Sequence, residues 1–285
     1  MFCKSFILAS FIAGAVFSGG SSFGADNSAL PAAVATRLKA YYGDAPIQPL
    51  QGWAVNGVKI YHVNVTTKNG KTDAAITENG DILWAGNPVA AGSLPEAVTD
   101  IADNMFQNQP QSIELVDRTY YFVNMATGKG TYELQFDPTG KLMTLRSYAQ
   151  VGQTIPTKGA QEMSQPLRHN LSAAAQADFA GATAKDVHRF QNAPGYYVVS
   201  LDKGGQPGWV VMGKMGDFYG SHIPVDQAQL PPPVKNVLDS DFKSANIKGV
   251  LKGAERFYHV IQKVGASTVA LDVRLNGDVF NVESK

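Results

Sequence analysis

The sequence predicts an α+β fold in which four diverged copies of one unit, a helix followed by an antiparallel sheet, succeed one another along the chain. Three observations predict it: a strand tyrosine is followed 19 residues later by a turn glycine, apolar residues alternate around that glycine, and a helical apolar pattern precedes the tyrosine. A fixed separation in several places is the signature of an internal repeat. The four pairs are Tyr61 and Gly80, Tyr121 and Gly140, Tyr197 and Gly216, and Tyr258 and Gly277.

Each unit is predicted to end in a β-hairpin. In the first copy, Ala74 and Ile76 lie two residues apart before the glycine and Ile82 follows it. Alternation with a period of two on both sides of Asn79-Gly80 is typical of a hairpin whose turn requires a positive φ. The equivalent turns are at Thr139-Gly140, Gly216 and Asn276-Gly277.

A helix is predicted before each tyrosine strand. Val34, Leu38 and Tyr42 are spaced four apart, which places one apolar stripe on a core-facing side. Pro31 lies at the start of this pattern, where a missing N–H costs nothing. The equivalent stripes are Val98, Ala102 and Phe106; Leu171, Ala175 and Phe179; and Val234, Leu238 and Phe242.

The four units are predicted to form two domains of two units each. The first pair covers residues 26–149 and the second pair covers residues 166–285. Between them, residues 150–165 are polar, contain Gly and Pro and show no periodicity, which is typical of a linker. Two units per domain are expected because one helix on a small sheet buries little apolar surface.

Residues 1–25 have the layout of a secretory signal peptide. Lys4 precedes a mostly apolar run, small residues follow, and a polar segment begins at Asp26. The run is shorter than the ~20 apolar residues of a membrane span. Because the single cysteine, Cys3, lies inside this segment, the mature chain is predicted to lack disulfides and cysteine chemistry. We expect a periplasmic or secreted protein.

The charge balance argues against two classes of partner. The chain has 24 basic and 24 acidic residues and no basic cluster. Nucleic acids and anionic lipids both call for a concentrated patch of Lys and Arg. We therefore expect neither as the main partner, and no integral membrane segment after the signal peptide.

The repeated pattern resembles the PepSY-like domains of exported bacterial proteins. The resemblance lies in segments such as 30–42, Ile60-Tyr61-His62-Val63 and Asn79-Gly80-Asp81-Ile82, and it extends over almost all of the mature chain in four copies. Paired units of this kind look like the beta-lactamase inhibitory protein architecture, in which a tandem repeat presents a concave sheet to its target. The resemblance implies two domains of that kind and binding or inhibition in the cell envelope or outside the cell.

A more distant similarity is to the dimerisation domain at the start of periplasmic disulfide isomerases. The Cys-x-x-Cys motif of those enzymes does not occur in this sequence. Only a dimerisation or chaperone-like role could therefore carry over.

Each tyrosine strand is predicted to turn one face to the helix and the opposite face to solvent or to a partner. On the second face, the first copy places His62 and Asn64, and the second copy places Phe122 and Asn124. His259 of the fourth copy is equivalent to His62. Because the equivalent residue Phe122 is apolar, we favour a structural or interface role for both histidines over a metal-binding or catalytic role. No His-x-His or His-x-x-x-His pair supports zinc.

Tryptophans supply the second group of candidate residues. Trp53 follows the first predicted helix and Trp209 lies in a predicted hairpin strand. Exposed Trp and Tyr are enriched where proteins bind proteins, although large aromatic residues more often serve packing. The candidate binding residues are therefore Trp53, His62, Asn64, Phe122, Asn124, Trp209 and His259.

The sequence favours a binding protein over an enzyme. No Gly-x-Ser-x-Gly elbow, Walker loop or metal-ligand cluster occurs in it. We expect an exported, non-enzymatic protein without cofactor or metal that engages a protein or peptide partner through its sheet faces. The alternative is a structural or chaperone-like envelope protein that dimerises through its sheets.

Overall fold

Most of the described chain is antiparallel β-sheet. The computed structural model describes residues 22–23, 30–105, 110–128, 130–148, 157–160, 182–190, 195–213, 218–243, 245–275 and 277–284. Strands account for 60% of the structure and helices for 18%. The helices are α1 (Ala32–Tyr42), α2 (Glu96–Met105) and α3 (Pro232–Asp241), with short 3-10 turns at Ala91–Ser93 and Gln227–Gln229.

The strands follow one another mostly as hairpins. In chain order they are β1 (Ser22–Phe23), β2 (Ile47–Pro49), β3 (Gly52–Val55), β4 (Val58–Thr67), β5 (Gly70–Thr77), β6 (Ile82–Pro88), β7 (Ser112–Thr127), β8 (Gly130–Phe136), β9 (Leu142–Tyr148), β10 (Thr157–Ala160), β11 (Thr183–Phe190), β12 (Tyr196–Lys203), β13 (Gln206–Gly213), β14 (Phe218–Pro224), β15 (Asn246–Val264), β16 (Ser267–Val273) and β17 (Val279–Ser284).

Two long strands, β7 and β15, form the centre of the molecule. They pair antiparallel over fifteen residue pairs, from Ser112 opposite Ile261 to Ala126 opposite Asn246. The outer edge of β7 is divided, because β6 pairs with its first part and β8 with its second. The outer edge of β15 is divided in the same way between β14 and β16. Each long strand therefore belongs to two sheets at once.

The result is a branched sheet with two arms that share β7 and β15. The first arm runs β3–β4–β5–β6–β7–β15–β16–β17, with β2 beside β4 and β1 beside β3. The second arm runs β9–β8–β7–β15–β14–β13–β12–β11–β10. Each arm thus joins strands from the first half of the chain to strands from the second half.

The three described helices pack on one face of this sheet. Val34 and Leu38 of α1 join the core on β4 and β5, beneath their own hairpin. Val98 of α2, however, packs with Tyr258 and Leu271 of β15 and β16. Helices α1 and α2, which are close in sequence, therefore cover strands from opposite halves of the chain.

Helix α3 likewise covers strands from the opposite half of the chain. Its residues Val234 and Leu238 pack with Val123 and Leu134 of β7 and β8, which belong to the first half. Helices α2 and α3 thus lie over each other's nearest hairpin. Burial of such apolar stripes is the main source of helix stability in a protein.

The start of a helix lies close to the turn glycine of the hairpin that it covers. Gly80, Gly140 and Gly277 all have φ between 85° and 87°, in the left-handed region that favours glycine. A Cβ added at Gly140 would lie 2.7 Å from Cβ of Pro233 in α3, and one at Gly277 would lie 3.0 Å from the carbonyl oxygen of Ala97 in α2. Close approach of a helix start therefore requires glycine as much as the turn does.

The predicted fold class is wrong. It placed tandem α+β helix-plus-antiparallel-sheet units, PepSY-like, in two beta-lactamase-inhibitory-protein-like domains. The structure is instead mostly antiparallel sheet with few helices, and its strands join through β7 and β15. Local periodicity detects a hairpin or a helix stripe, but it carries no information on which distant strand an edge will pair with.

Several predicted segments fall outside the described residues. These are the signal peptide apart from Ser22–Phe23, the helix expected around Leu171 to Phe179, and the turn at Gly216. Most of the predicted linker is also outside, while its residues Thr157–Ala160 form β10 beside β11. Among the described residues, no helix is long and apolar enough to cross a membrane.

Candidate functional site

A pocket opens on the face of the second arm that carries no described helix, called the helix-free face below. Side chains alternate along a strand, so the residues next to the core-facing Tyr121 and Val123 of β7 point to this face. They are Tyr120 and Phe122. On β13 the same alternation turns Trp209 away from the core residue Val210.

Three rings from three strands stack in this pocket. The ring centroid of His222 lies 3.9 Å from that of Phe122 and 4.2 Å from that of Trp209, at interplanar angles of 42° and 37°. Trp209 and His222 are direct cross-strand partners on β13 and β14. Aromatic pairs of this kind contribute about 0.5–1.5 kcal/mol beyond the area they bury.

Gly253 of β15 makes the contact between Phe122 and His222 possible. It lies directly opposite His222 on β14 and Tyr120 on β7. A Cβ at this position would lie 2.6 Å from Cε2 of Phe122 and 2.9 Å from Cδ2 of His222. Because glycine has no side chain, Phe122 reaches across β15 to the histidine.

The pocket has a volume of about 300 Å³ and a mixed lining. Its aromatic residues are Tyr120, Phe122, Trp209, Tyr219 and His222, and its polar side chains are Glu133, Gln135, Glu255, Arg256 and Arg274. Trp209 and His222 are half-buried, so part of each ring remains accessible to solvent. The pocket can therefore receive a ligand group between aromatic walls and a charged rim.

Charged groups at the rim are partly paired. Nε of Arg274 donates to Oε1 of Glu255 at 2.6 Å, and its guanidinium lies 4.5 Å from the ring centroid of Phe280.

Burial raises the pKa of the Tyr120 hydroxyl to about 12. Tyr120 is therefore neutral throughout the physiological range and acts as a hydrogen-bonding or packing group rather than as a base.

The helix-free face of the first arm holds four of the predicted residues. The protein's own side chains pack over this face. Trp53 and His62 meet edge to face with centroids 5.7 Å apart. Asn64 donates to Oδ1 of Asp73 at 2.8 Å, while Nε2 of His62 lies 3.7 Å from Oδ2 of the same carboxylate. Apolar side chains cover the surface beside them, namely Ile60, Ala75, Trp84, Val116 and Phe257, all buried.

His259, the fourth of these residues, is buried in a polar cluster. Its Nδ1 lies 2.6 Å from Oδ1 of Asp272, whose other oxygen accepts from Nδ2 of Asn281 at 3.0 Å. Burial alone would raise the pKa of Asp272, but the hydrogen bond from His259 and the charge of Arg118 hold it below its ordinary value. The imidazole is also 5.0 Å from the Trp84 ring. This arrangement orients and packs the histidine.

Glu114 lies directly opposite His259 on the neighbouring strand β7. Its Oε1 accepts a hydrogen bond from Oγ1 of Thr72 at 2.9 Å, and burial raises the pKa of its carboxyl group. No cluster of three or more His, Cys, Asp or Glu side chains that could hold a metal is found within the described parts of the chain.

The predicted site residues thus fall into two groups. Phe122 and Trp209 meet in the pocket of the second arm, although 86 residues separate them along the chain. Trp53, His62, Asn64 and His259 lie on the covered face of the first arm. Asn124 is half-buried on the same face of β7 as Phe122, two residues further along.

Sequence reasoning missed most of the pocket. It did not include His222 among the candidate binding residues, yet His222 lies between the two predicted aromatic rings. Strand alternation could have placed Glu133 and Gln135 on the same face as Phe122, since they lie opposite Asn124 and Phe122 on β8. No local signal connects Glu255 or Arg274 to this site. Glu255 lies beside β7 through the pairing of β7 with β15, and Arg274 follows β16 and bonds Glu255.

Comparison with known proteins adds no identification. No family model matches the chain, and no curated protein matches its sequence. The resemblance of the repeats to PepSY-like domains therefore stays a prediction.

Proposed function

We propose that this chain is an exported, non-enzymatic binding protein that engages a protein or peptide partner through the aromatic pocket of the second arm. One observation carries the proposal: Phe122 and Trp209, from different halves of the chain, line one open pocket around His222. The export signal expected in residues 1–25 would place the protein in the periplasm or outside the cell.

The contrast between the arms supports this location. On the first arm the helix-free face is covered by its own apolar side chains, including Trp84 and Phe257. On the second arm the aromatic side chains leave a cavity of about 300 Å³. Large, rigid aromatic groups in a pocket are the usual anchors of protein interfaces, because they bury much area with little loss of conformational entropy.

Substitution of Trp209 tests the proposal. The chain from residue 26 onwards is immobilised and exposed to envelope extract and culture fluid, and retained proteins are compared between wild type and Trp209→Ala. We expect a retained partner whose affinity falls at least about thirtyfold in the variant, the size of a hot-spot loss of about 2 kcal/mol. The matched control is Trp53→Ala on the filled face, which should leave retention unchanged.

Circular dichroism and thermal unfolding establish that both variants are folded before binding is compared. Equal retention by wild type and folded Trp209→Ala would contradict the proposal. So would loss of retention in Trp53→Ala alone.

Dimerisation through the sheets is the second candidate function, and the edge strand β9 favours it. Within the described residues, β9 pairs with β8 alone. It exposes Leu142, Met143 and Leu145, which are 39%, 42% and 50% accessible. An edge strand with exposed large apolar residues is a template for pairing with another chain.

A charge on β9 distinguishes this candidate. If the chain dimerises there, Leu145→Lys should convert the dimer to a monomer in sedimentation experiments, because the charge is buried on pairing. Val282→Lys is the control, since Val282 is 55% accessible on a different edge strand, β17. A wild-type chain that remains monomeric at all concentrations would rule the candidate out.

A further inference from the structure

We infer that a second cavity, on the helix-covered face of the sheet, binds a small organic anion through its carboxylate or phosphate group. This central cavity lies between α1 and the three neighbouring strands β7, β15 and β14, and it has a volume of about 570 Å³. It opens on the opposite face of the sheet from the aromatic pocket, so the inference is independent of the proposed function.

Small side chains form the floor of the central cavity. Thr119, Ala254 and Ser221 lie directly opposite one another on β7, β15 and β14. Lys252 and Arg256 lie two residues before and two residues after Ala254 on β15, so both side chains point to the same face as this row. The row of small residues therefore leaves space between two cationic side chains.

The lining of the central cavity is cationic. It contains one carboxylate, Asp117, and five basic side chains, namely Arg37, Arg118, Lys203, Lys252 and Arg256. Three of the basic side chains already have carboxylate partners. Arg256 bonds Asp117, Lys252 bonds Asp81, and Arg118 lies 4.0 Å from Asp272.

Lys203 supplies the positive charge that these pairs do not neutralise. It is half-buried at the end of β12, and it forms no ion pair with any residue in the described part of the chain. A half-buried ammonium is stabilised by a negative charge that replaces lost water. An anionic ligand in the cavity would supply that charge, whereas a cationic ligand would be repelled.

Hydroxyl groups add uncharged donors to the same space. Oγ1 of Thr119 accepts a hydrogen bond from the backbone N–H of Ile82 at 3.0 Å, and the Tyr41 hydroxyl accepts from Nη2 of Arg256 at 3.4 Å. A hydroxyl that accepts in this way still has its own O–H to donate. The hydroxyl of Ser221 also lines the cavity. Carboxylate and phosphate oxygens are acceptors for such donors.

The size and position of the central cavity favour a small molecule over a polyanion. A volume of about 570 Å³ falls within the range, roughly 300–1,000 Å³, of small-molecule sites. Nucleic acids and anionic membranes are bound by broad basic surfaces. Here Arg37, Ala40 and Tyr41 of α1 line one side of the cavity, so its cations do not form such a surface.

The test is isothermal titration calorimetry of the chain from residue 26 onwards with succinate, inorganic phosphate and succinamide at constant ionic strength. We expect succinate or phosphate to bind, with affinity that falls as salt is added, because charge attraction is screened. The stronger of the two identifies the preferred group. Succinamide has nearly the size of succinate but no charge, and it should not bind.

Substitution of Lys203 locates the site. Lys203→Gln should weaken binding of the anion at least about threefold, the worth of a partly exposed charge pair. Lys203→Arg keeps the charge and should retain binding. The matched control is Lys263→Gln, an exposed lysine near the end of β15, which should leave affinity unchanged. Circular dichroism verifies that each variant is folded.

Several outcomes would overturn the inference. These are binding of neither anion, binding of succinamide as tightly as succinate, equal affinity of Lys203→Gln and wild type, and an equal loss in Lys263→Gln. Lys203 does not line the aromatic pocket. None of these results therefore bears on partner retention by Trp209→Ala, which tests the proposed function.

Discussion

At the residue scale, Gly253 decides whether the pocket forms. It is the position on β15 across which Phe122 and His222 meet, and a methyl group there would lie within 3 Å of both rings. A carbonyl oxygen, that of Ser221, lies 2.9 Å from the same point, so the backbone as well as the rings would have to move. Such a site tolerates no side chain, although glycine weakens a strand elsewhere.

Gly253→Ala is therefore expected to destabilise the protein by about 1–3 kcal/mol, the usual cost of overpacking. Urea unfolding measures the change. Gly249→Ala, in the same strand, is the control, because a Cβ there meets nothing within 4 Å and should change stability by less than about 0.5 kcal/mol. Equal stability of the two variants would mean that Phe122 and His222 do not stack across Gly253.

At the element scale, hairpins and helices follow from local pattern, but their assembly does not. Period-two alternation and a glycine turn predicted the β5–β6, β8–β9 and β16–β17 hairpins, and the structure contains all three. Apolar spacing of four predicted α1, α2 and α3. Which hairpin each helix covers depends on long-range packing, because the apolar stripes of the helices are nearly interchangeable.

The exchange of α2 and α3 predicts which side chains are energetically coupled. Val98 of α2 and Leu271 of β16 are both fully buried in one cluster, whereas Leu134 of β8 lies in the cluster beneath α3. In double-mutant cycles of alanine substitutions measured by chemical unfolding, Val98 and Leu271 should couple by at least about 0.5 kcal/mol. Val98 and Leu134 should be additive. The opposite result would place α2 on its own hairpin.

At the scale of the whole molecule, the pairing of β7 with β15 joins the halves into one sheet. Their seam carries a charged pair as well as backbone hydrogen bonds, because Arg256 of β15 forms a bidentate pair with Asp117 of β7. Lys252 of β15 also bonds Asp81, which lies in the turn between β5 and β6. Burial raises the pKa of Asp117, opposed by the charge of Arg256. Removing one partner of a buried pair leaves an uncompensated charge, so the Arg256–Asp117 pair favours one register of the two strands over its neighbours.

The pairing of β7 with β15 also brings the residues of the pocket together. Phe122 comes from β7, Gly253 and Glu255 from β15, His222 from β14 and Trp209 from β13. The first three strands are consecutive in the sheet only because β15 lies between β7 and β14. A site of this kind cannot exist in either half of the chain alone.

The sequence by itself determined the hairpin turns, the helix stripes, the face of each strand that meets a helix, and two aromatic residues of the candidate site. These features depend on neighbours a few residues apart, where periodicity and the conformational freedom of glycine act directly. The tertiary structure decided the branched sheet, the exchange of α2 and α3, and the union of Phe122, His222 and Trp209. Those features depend on strand pairing between residues more than a hundred positions apart, for which many partners offer similar backbone hydrogen bonds and only the packing of the whole chain selects one.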